Sequence, residues 1–286
     1  MARTLGSVSW RFLRQPRWIV RHVAVALLIG AMVAAGLWQV RRHDDKRAYK
    51  DLVEARQEEP VAPVLDVLPP GAAIGSAAVD DVLYRSVRAT GTYLVDDTVV
   101  VENRTLNGSS GAWVLTPLVV DDGLAVVVNR GFVGFDREGE IVPPAAPAGE
   151  VTVEGLVFPS QTRGRFGPTD PSEGRLEVLA RADVERFGAQ LDVDLLPAYV
   201  QAVATTPPEP VAEAGAPQLV ALGPPTPDLG PHLSYAAQWA IFTLIAAVGY
   251  VLLLRRVARD QRREERAEEA DRAVDEELAD LLRTQP

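Results

Sequence analysis

Val23–Val40 reads VAVALLIGAMVAAGLWQV and Leu233–Leu254 reads LSYAAQWAIFTLIAAVGYVLLL, 18 and 22 residues without a charged side chain. At about 1.5 Å per residue, each run is long enough for a helix to cross a hydrocarbon layer of about 30 Å, the first only just. The pair predicts a membrane protein: a hairpin of two transmembrane helices, residues 23–40 and 233–254, enclosing one large loop. Residues 41–82 and 205–232 read as connectors, 83–204 as the body of the loop, 1–22 as a basic N-terminus and 255–286 as a charged helical tail.

Charge is distributed accordingly. Residues 1–50 carry 10 Lys and Arg against 2 Asp and Glu, residues 51–231 carry 11 against 27, and residues 232–286 carry 8 against 10. The net charge of −10 therefore comes from the loop. Arg255, Arg256, Arg259, Arg262 and Arg263 follow the second run, whereas Glu209, Glu213 and Asp228 precede it. Basic flanks stay on the cytoplasmic side, so both termini are expected inside and residues 41–232 outside a bacterial cell membrane. An acidic loop with its arginines next to apolar runs gives phosphate backbones no basic face, and nucleic acid is set aside as a partner. The rival reading of the first run is a cleaved signal peptide, with Val33-Ala34-Ala35-Gly36 as the processing site. The basic cluster after it and Trp38 at its outer end favour a retained anchor. Ala26, Gly30 and Ala34 in the first run, and Ala236 and Ala240 in the second, recur every four residues, a spacing that allows close helix packing in lipid or simply fills an apolar run.

Between the runs, β-branched segments are punctuated by Gly, Asn and Asp. Strands are predicted over 84–93, 98–104, 112–120, 124–133, 151–158 and 198–203, with Asp121-Asp122-Gly123 as a hairpin turn and a short helix over 182–191. The loop is thus a mainly-β (α+β), mostly antiparallel extracytoplasmic domain. Gln218–Leu222 is a candidate last strand.

The chain has no cysteine and only three histidines, His22, His43 and His232. That removes disulfides, thiolate zinc, iron–sulfur clusters and thiol nucleophiles. No nucleophile elbow, zincin helix or phosphate-binding glycine loop is present, so no enzyme activity is expected. His232 opens the second run at its outer end, and Tyr235, Trp239 and Phe242 follow at helical spacing. An imidazole at the lip of an aromatic-lined groove suits haem, whose iron takes a histidine nitrogen and whose ring prefers apolar surroundings. A plain interfacial histidine fits the same pattern. His43 lies on the same side as a second candidate. Arg130 is a candidate for anionic groups through its planar fork, or for a structural ion pair.

Taken in order, Gly36-Leu37-Trp38-Gln39 with Arg41 and Lys46, Tyr84-Arg85-Ser86-Val87 leading to Gly91-Thr92-Tyr93, Asn103-Arg104 before Gly111 and Thr116-Pro117-Leu118, Val128-Asn129-Arg130-Gly131-Phe132-Val133, Pro197-Ala198-Tyr199-Val200 and His232 to Trp239 resemble the Surfeit-locus (Surf) family of cytochrome c oxidase assembly proteins. The likeness covers roughly residues 17–258. The chain departs from the family where Phe132-Val133-Gly134 replaces Trp-Val-Pro, and in its longer tail. The resemblance implies an assembly factor that holds or guides haem a as a transient cofactor, with His232 as iron ligand and Tyr235 and Trp239 beside the ring. The implied partners are the catalytic subunit of the oxidase, a haem a synthase and the lipid membrane. A membrane-anchored scaffold that never touches haem stays open beside it.

Overall fold

A computed structural model of the chain describes residues 11–212 and 216–283. Two units are distinct, a helical one (residues 11–48 and 228–283) and a sheet unit (residues 49–227).

The helical unit is built on α1 (Pro16–Gln57) and α5 (His232–Arg283). Both are long and apolar enough to cross a membrane. Each outruns its apolar segment. The expected connector over 41–82 begins instead as helix, because no Pro or Gly interrupts the chain between Leu37 and Glu59 and Lys50 pairs with Glu54 one turn on, at 3.5 Å. The charged tail is likewise continuous helix to Arg283, with Val274 exposed as a solvated helix requires.

The partly covered residues of α1 include His22, Val25, Ile29, Met32, Gly36, Gln39 and His43; those of α5 include His232, Ala236, Trp239, Thr243, Ala246 and Tyr250. Alternating steps of three and four residues are the seam of two helices packed side by side. The small-residue row does not form this contact on α1: Ala26, Gly30 and Ala34 are exposed, and nothing lies within 4 Å of where a Gly30 Cβ would stand. The polar side chains His22 and Gln39 both turn to partners on α5, which sets the rotation of α1 and leaves that row outside.

In the sheet unit, β1 (Ala62–Pro63), β2 (Ser86–Tyr93), β3 (Val99–Leu106), β4 (Ser109–Asp121), β5 (Leu124–Gly134), β6 (Glu150–Pro159), β7 (Val178–Leu179) and β8 (Asp194–Thr206) form one eight-stranded sheet in the order β1-β2-β6-β8-β5-β4-β3-β7. The far end of β2 also pairs with β4 through Thr92–Val119 and Tyr93–Leu118, so the sheet curls closed around a core of Val87, Ala89, Leu118, Val126, Val128, Val153, Val157 and Val200. The expected antiparallel pattern holds for most ladders but not all. β8 inserts between β6 and β5 and runs parallel to β5, and the short β1 and β7 are also parallel to their neighbours, so the sheet is mixed. The cause is visible in β5: Ala125 through Val133 are all buried, with Val126 and Val128 in the enclosed core and Val127 in a second core with Val99, Val101, Phe187 and Tyr199. A strand covered on both faces has an unbroken apolar run and can accept a parallel neighbour.

That second core is covered by α4 (Val184–Gly188), shorter than the predicted 182–191. The Asp183 carboxylate caps it by accepting the Arg186 amide at 3.1 Å. The proline-rich connector after α1 contains α2 (Val64–Val67) and α3 (Ala77–Asp80), whose Val64, Val67 and Val79, with Leu68, are buried in the enclosed core. Gly123 takes φ +73° in the β4–β5 turn, and Asn107 and Gly108, both at positive φ, make the β3–β4 hairpin. The candidate strand over 218–222 is a single antiparallel bridge, Val220 to Phe132.

Candidate functional site

At the start of α5, His232 Nδ1 lies 2.8 Å from Gln39 Oε1 of α1. The amide oxygen is an acceptor, so Nδ1 donates, and in the neutral ring Nε2 then holds the lone pair. A histidine oriented by a hydrogen bond from one ring nitrogen, with the other available, is the arrangement found at metal-binding imidazoles. Trp239 shares this seam, with its Cβ 3.4 Å from the position a Gly36 Cβ would occupy, and its indole meets Phe242 edge-on at 6.1 Å. Tyr235 points elsewhere and is 48% exposed. Of the three predicted residues, His232 and Trp239 therefore face α1 together and Tyr235 stands apart. His43, one turn beyond Gln39, buries its Nδ1 without a hydrogen-bond partner.

Gln39 was quoted as part of a motif, but its role was not legible. The signal was its spacing: a lone amide at the end of an apolar run demands a partner when packed against another helix. The same logic applies at the other end of the helical unit, where His22 Nδ1 meets the Tyr250 hydroxyl. Trp18 and Ala258 are buried there, and the Arg21 guanidinium lies 4.7 Å from the Trp18 ring centroid. The two polar clasps are 17 residues apart on α1, about 26 Å, close to the depth of a hydrocarbon layer.

In the sheet unit, Arg130 is 2% exposed and makes four hydrogen bonds. Nε donates to Glu209 Oε1 at 3.0 Å and Nη2 to Oε2 at 2.5 Å, Nη1 to the Pro144 carbonyl at 3.1 Å and Nη2 to the Ala145 carbonyl at 2.8 Å. The structural ion pair is the reading that holds. Next to it, Gly131 (φ +151°) has no room for a side chain, since a Cβ would stand 2.6 Å from the Val220 carbonyl oxygen. Burial raises the Tyr93 phenol, with the negative Glu209 adding to the shift and Arg130 opposing it. Burial also raises Tyr84 and Tyr199, and lowers the Arg104 guanidinium, which lies 4.2 Å from the Trp113 ring centroid. Tyr84 adopts φ 67°, a left-handed conformation that a bulky residue pays for; its hydroxyl accepts from Tyr49 at 2.8 Å and its ring packs edge-on against Phe158. Among the described residues, no group of three or more His, Asp or Glu could hold a metal ion.

Residues 26–244 match the SURF1 family, from within α1 to the first quarter of α5 and across the whole sheet. A SURF1-like protein of Mycobacterium bovis and SURF1-like proteins of two strains of Mycobacterium tuberculosis are each 28% identical to this chain over 274 residues, covering 94% of this chain and 96% of theirs. Two long apolar helices flanking a mixed sheet, with the matched region reaching into both helices, are accounted for together: the chain belongs to the SURF1 family, which is linked to cytochrome oxidase assembly and not known for catalysis.

Proposed function

We propose that the protein spans a bacterial cell membrane as a two-helix hairpin with both termini cytoplasmic, and that it serves the assembly of a haem-a-containing cytochrome c oxidase by holding or guiding haem a toward the catalytic subunit. The arginines after Leu254 on α5 support the orientation. The observation that carries the haem reading is the His232–Gln39 bond, which orients the imidazole and leaves Nε2 as a neutral donor. Haem a, when bound, would supply an iron that takes such a nitrogen as ligand. His232 would hold it, Gln39 would keep the ring in one tautomer, and Trp239 would offer an apolar flank. Tyr235, exposed on α5, would border the ring from outside. A haem a synthase is the natural donor and the oxidase catalytic subunit the acceptor.

The competing reading, a membrane-anchored scaffold without haem, is favoured by the same bond seen differently: with its mate at His22–Tyr250 it clasps the two helices, a sufficient use for His232. Visible absorption of the full-length protein purified from a host that makes haem a separates the two. Haem bound by the wild type and lost in His232→Ala is expected. No haem in the wild type, or equal haem in both, leaves the scaffold.

A further inference from the structure

Directly below the His232–Gln39 pair, α1 and α5 leave a groove of about 480 Å³ between them. Its lining begins at Val40, next to Gln39, and Gly36 on α1 and at Ala236, one turn from His232, on α5, and continues past Ala240 and Thr243 to Ala247. The lining is almost wholly apolar. The only hydroxyl, that of Thr243, is spent on the Trp239 carbonyl at 2.8 Å, so the groove offers no free donor. From Ala236 to Ala247 it runs about 16 Å along the helix axis.

We infer that this groove receives the isoprenoid tail of the haem, so that the protein distinguishes farnesylated haems from haem b. The inference rests on the haem reading given above. Its argument is proximity: the groove starts at Ala236, one turn along α5 from His232, whose second ring nitrogen the Gln39 bond leaves free, so an occupant with a metal-bearing head at His232 and an apolar chain lies along both. A third helix or a lipid acyl chain would have no use for that nitrogen. The narrow floor set by glycine and alanine suits a slender branched chain, and a dry apolar trough rewards each buried carbon while offering nothing to a polar substituent.

The test titrates haem a, haem o and haem b into the purified full-length protein in lipid nanodiscs and follows the visible absorption. Haem a and haem o carry the tail and haem b does not. Haem a and haem o are expected to bind at least about tenfold more tightly than haem b. Ala240→Leu fills the groove at an exposed position; it should bring haem a and haem o down to the haem b value while leaving haem b binding unchanged, which also reports an intact fold and discounts simple partition of the tailed haems into lipid. Equal binding of all three haems by the wild type, or a preference that survives Ala240→Leu, overturns the groove assignment while the haem reading stands so long as His232→Ala abolishes binding. Binding of no haem, or binding indifferent to His232→Ala, overturns both.

Discussion

The Arg130–Glu209 pair is the sharpest energetic statement the sheet unit makes. Arg130 is 2% exposed and its guanidinium makes four hydrogen bonds, two to Glu209 and one each to the carbonyls of Pro144 and Ala145. Glu209→Leu leaves a buried cation without its counter-charge, a loss of about 3–5 kcal/mol. Arg130→Met instead removes the charge. The partly exposed Glu209 side chain can rehydrate, as can the carbonyls of the half-buried Pro144 and the exposed Ala145 that lose a donor, so this change costs less than Glu209→Leu. Because each single change orphans the other partner, Arg130→Met combined with Glu209→Leu should cost clearly less than the sum of the two. The assay is urea unfolding of the full-length protein in micelles, with Trp113 the only tryptophan of the sheet unit and those of the helices a steady background. With a slope of about 2–3 kcal/mol per molar urea, Glu209→Leu should lower the midpoint by about 1–2 M. A shift below about 0.3 M, or strict additivity in the double variant, would refute the claim that this pair is buried and mutually dependent.

Three further outcomes follow from other parts of the fold. Tyr93 and Tyr199 have folded-state pKa values above their ordinary 10.0, so their contribution is fully present below pH 10 and lost as pH rises beyond it, by about 1.4 kcal/mol per pH unit for each; urea midpoints should fall steeply above pH 10, Tyr93→Phe and Tyr199→Phe should flatten that fall, and a midpoint flat to pH 11 in the wild type would contradict it. Gly131→Ala should destabilise by about 1–3 kcal/mol through its positive φ and its collision with Val220, whereas Gly134→Ala, with open space at its Cβ, should be near neutral; equal midpoints for the two variants would count against the geometry. In a chain without cysteine, Gly36→Cys with Trp239→Cys places two Cβ atoms about 3.4 Å apart and should form a disulfide that blocks maleimide labelling, while Gly30→Cys with Trp239→Cys should stay reduced; labelling of both pairs alike would show that the seam is wrong.

Local chemistry made much of this readable. Apolar length alone announced α1 and α5, and Asp121-Asp122-Gly123 announced the hairpin between β4 and β5, because a left-handed residue in a tight turn needs glycine. Asn107-Gly108 was an equally strong signal that went unused. The short elements α2 and α3 were hidden in a stretch rich in Pro, Ala and Gly, since four-residue helices carry no periodicity and owe their order to Val64, Val67 and Val79 meeting the core. The strand β5 is legible in the sequence, but the meaning of its apolar stretch from Leu124 to Val128 is not: burial on both faces, and with it a parallel neighbour in β8.

For the candidate site, sequence supplied the residues and structure supplied their relations. His232 at the head of an apolar run, Trp239 two turns on and the family resemblance were all legible in the order of residues. That Gln39 holds His232, that Trp239 lies on the seam and Tyr235 off it, and that Arg130 binds Glu209 and two carbonyls were not. Segment length, charge asymmetry and turn chemistry are properties of neighbours in the chain, and they determine which elements form. Which side of α1 meets α5, and which strands lie side by side, depends on partners far along the chain, 193 residues apart for His232 and Gln39, chosen because buried polar groups must find one another and a strand buried on both faces must be covered on both.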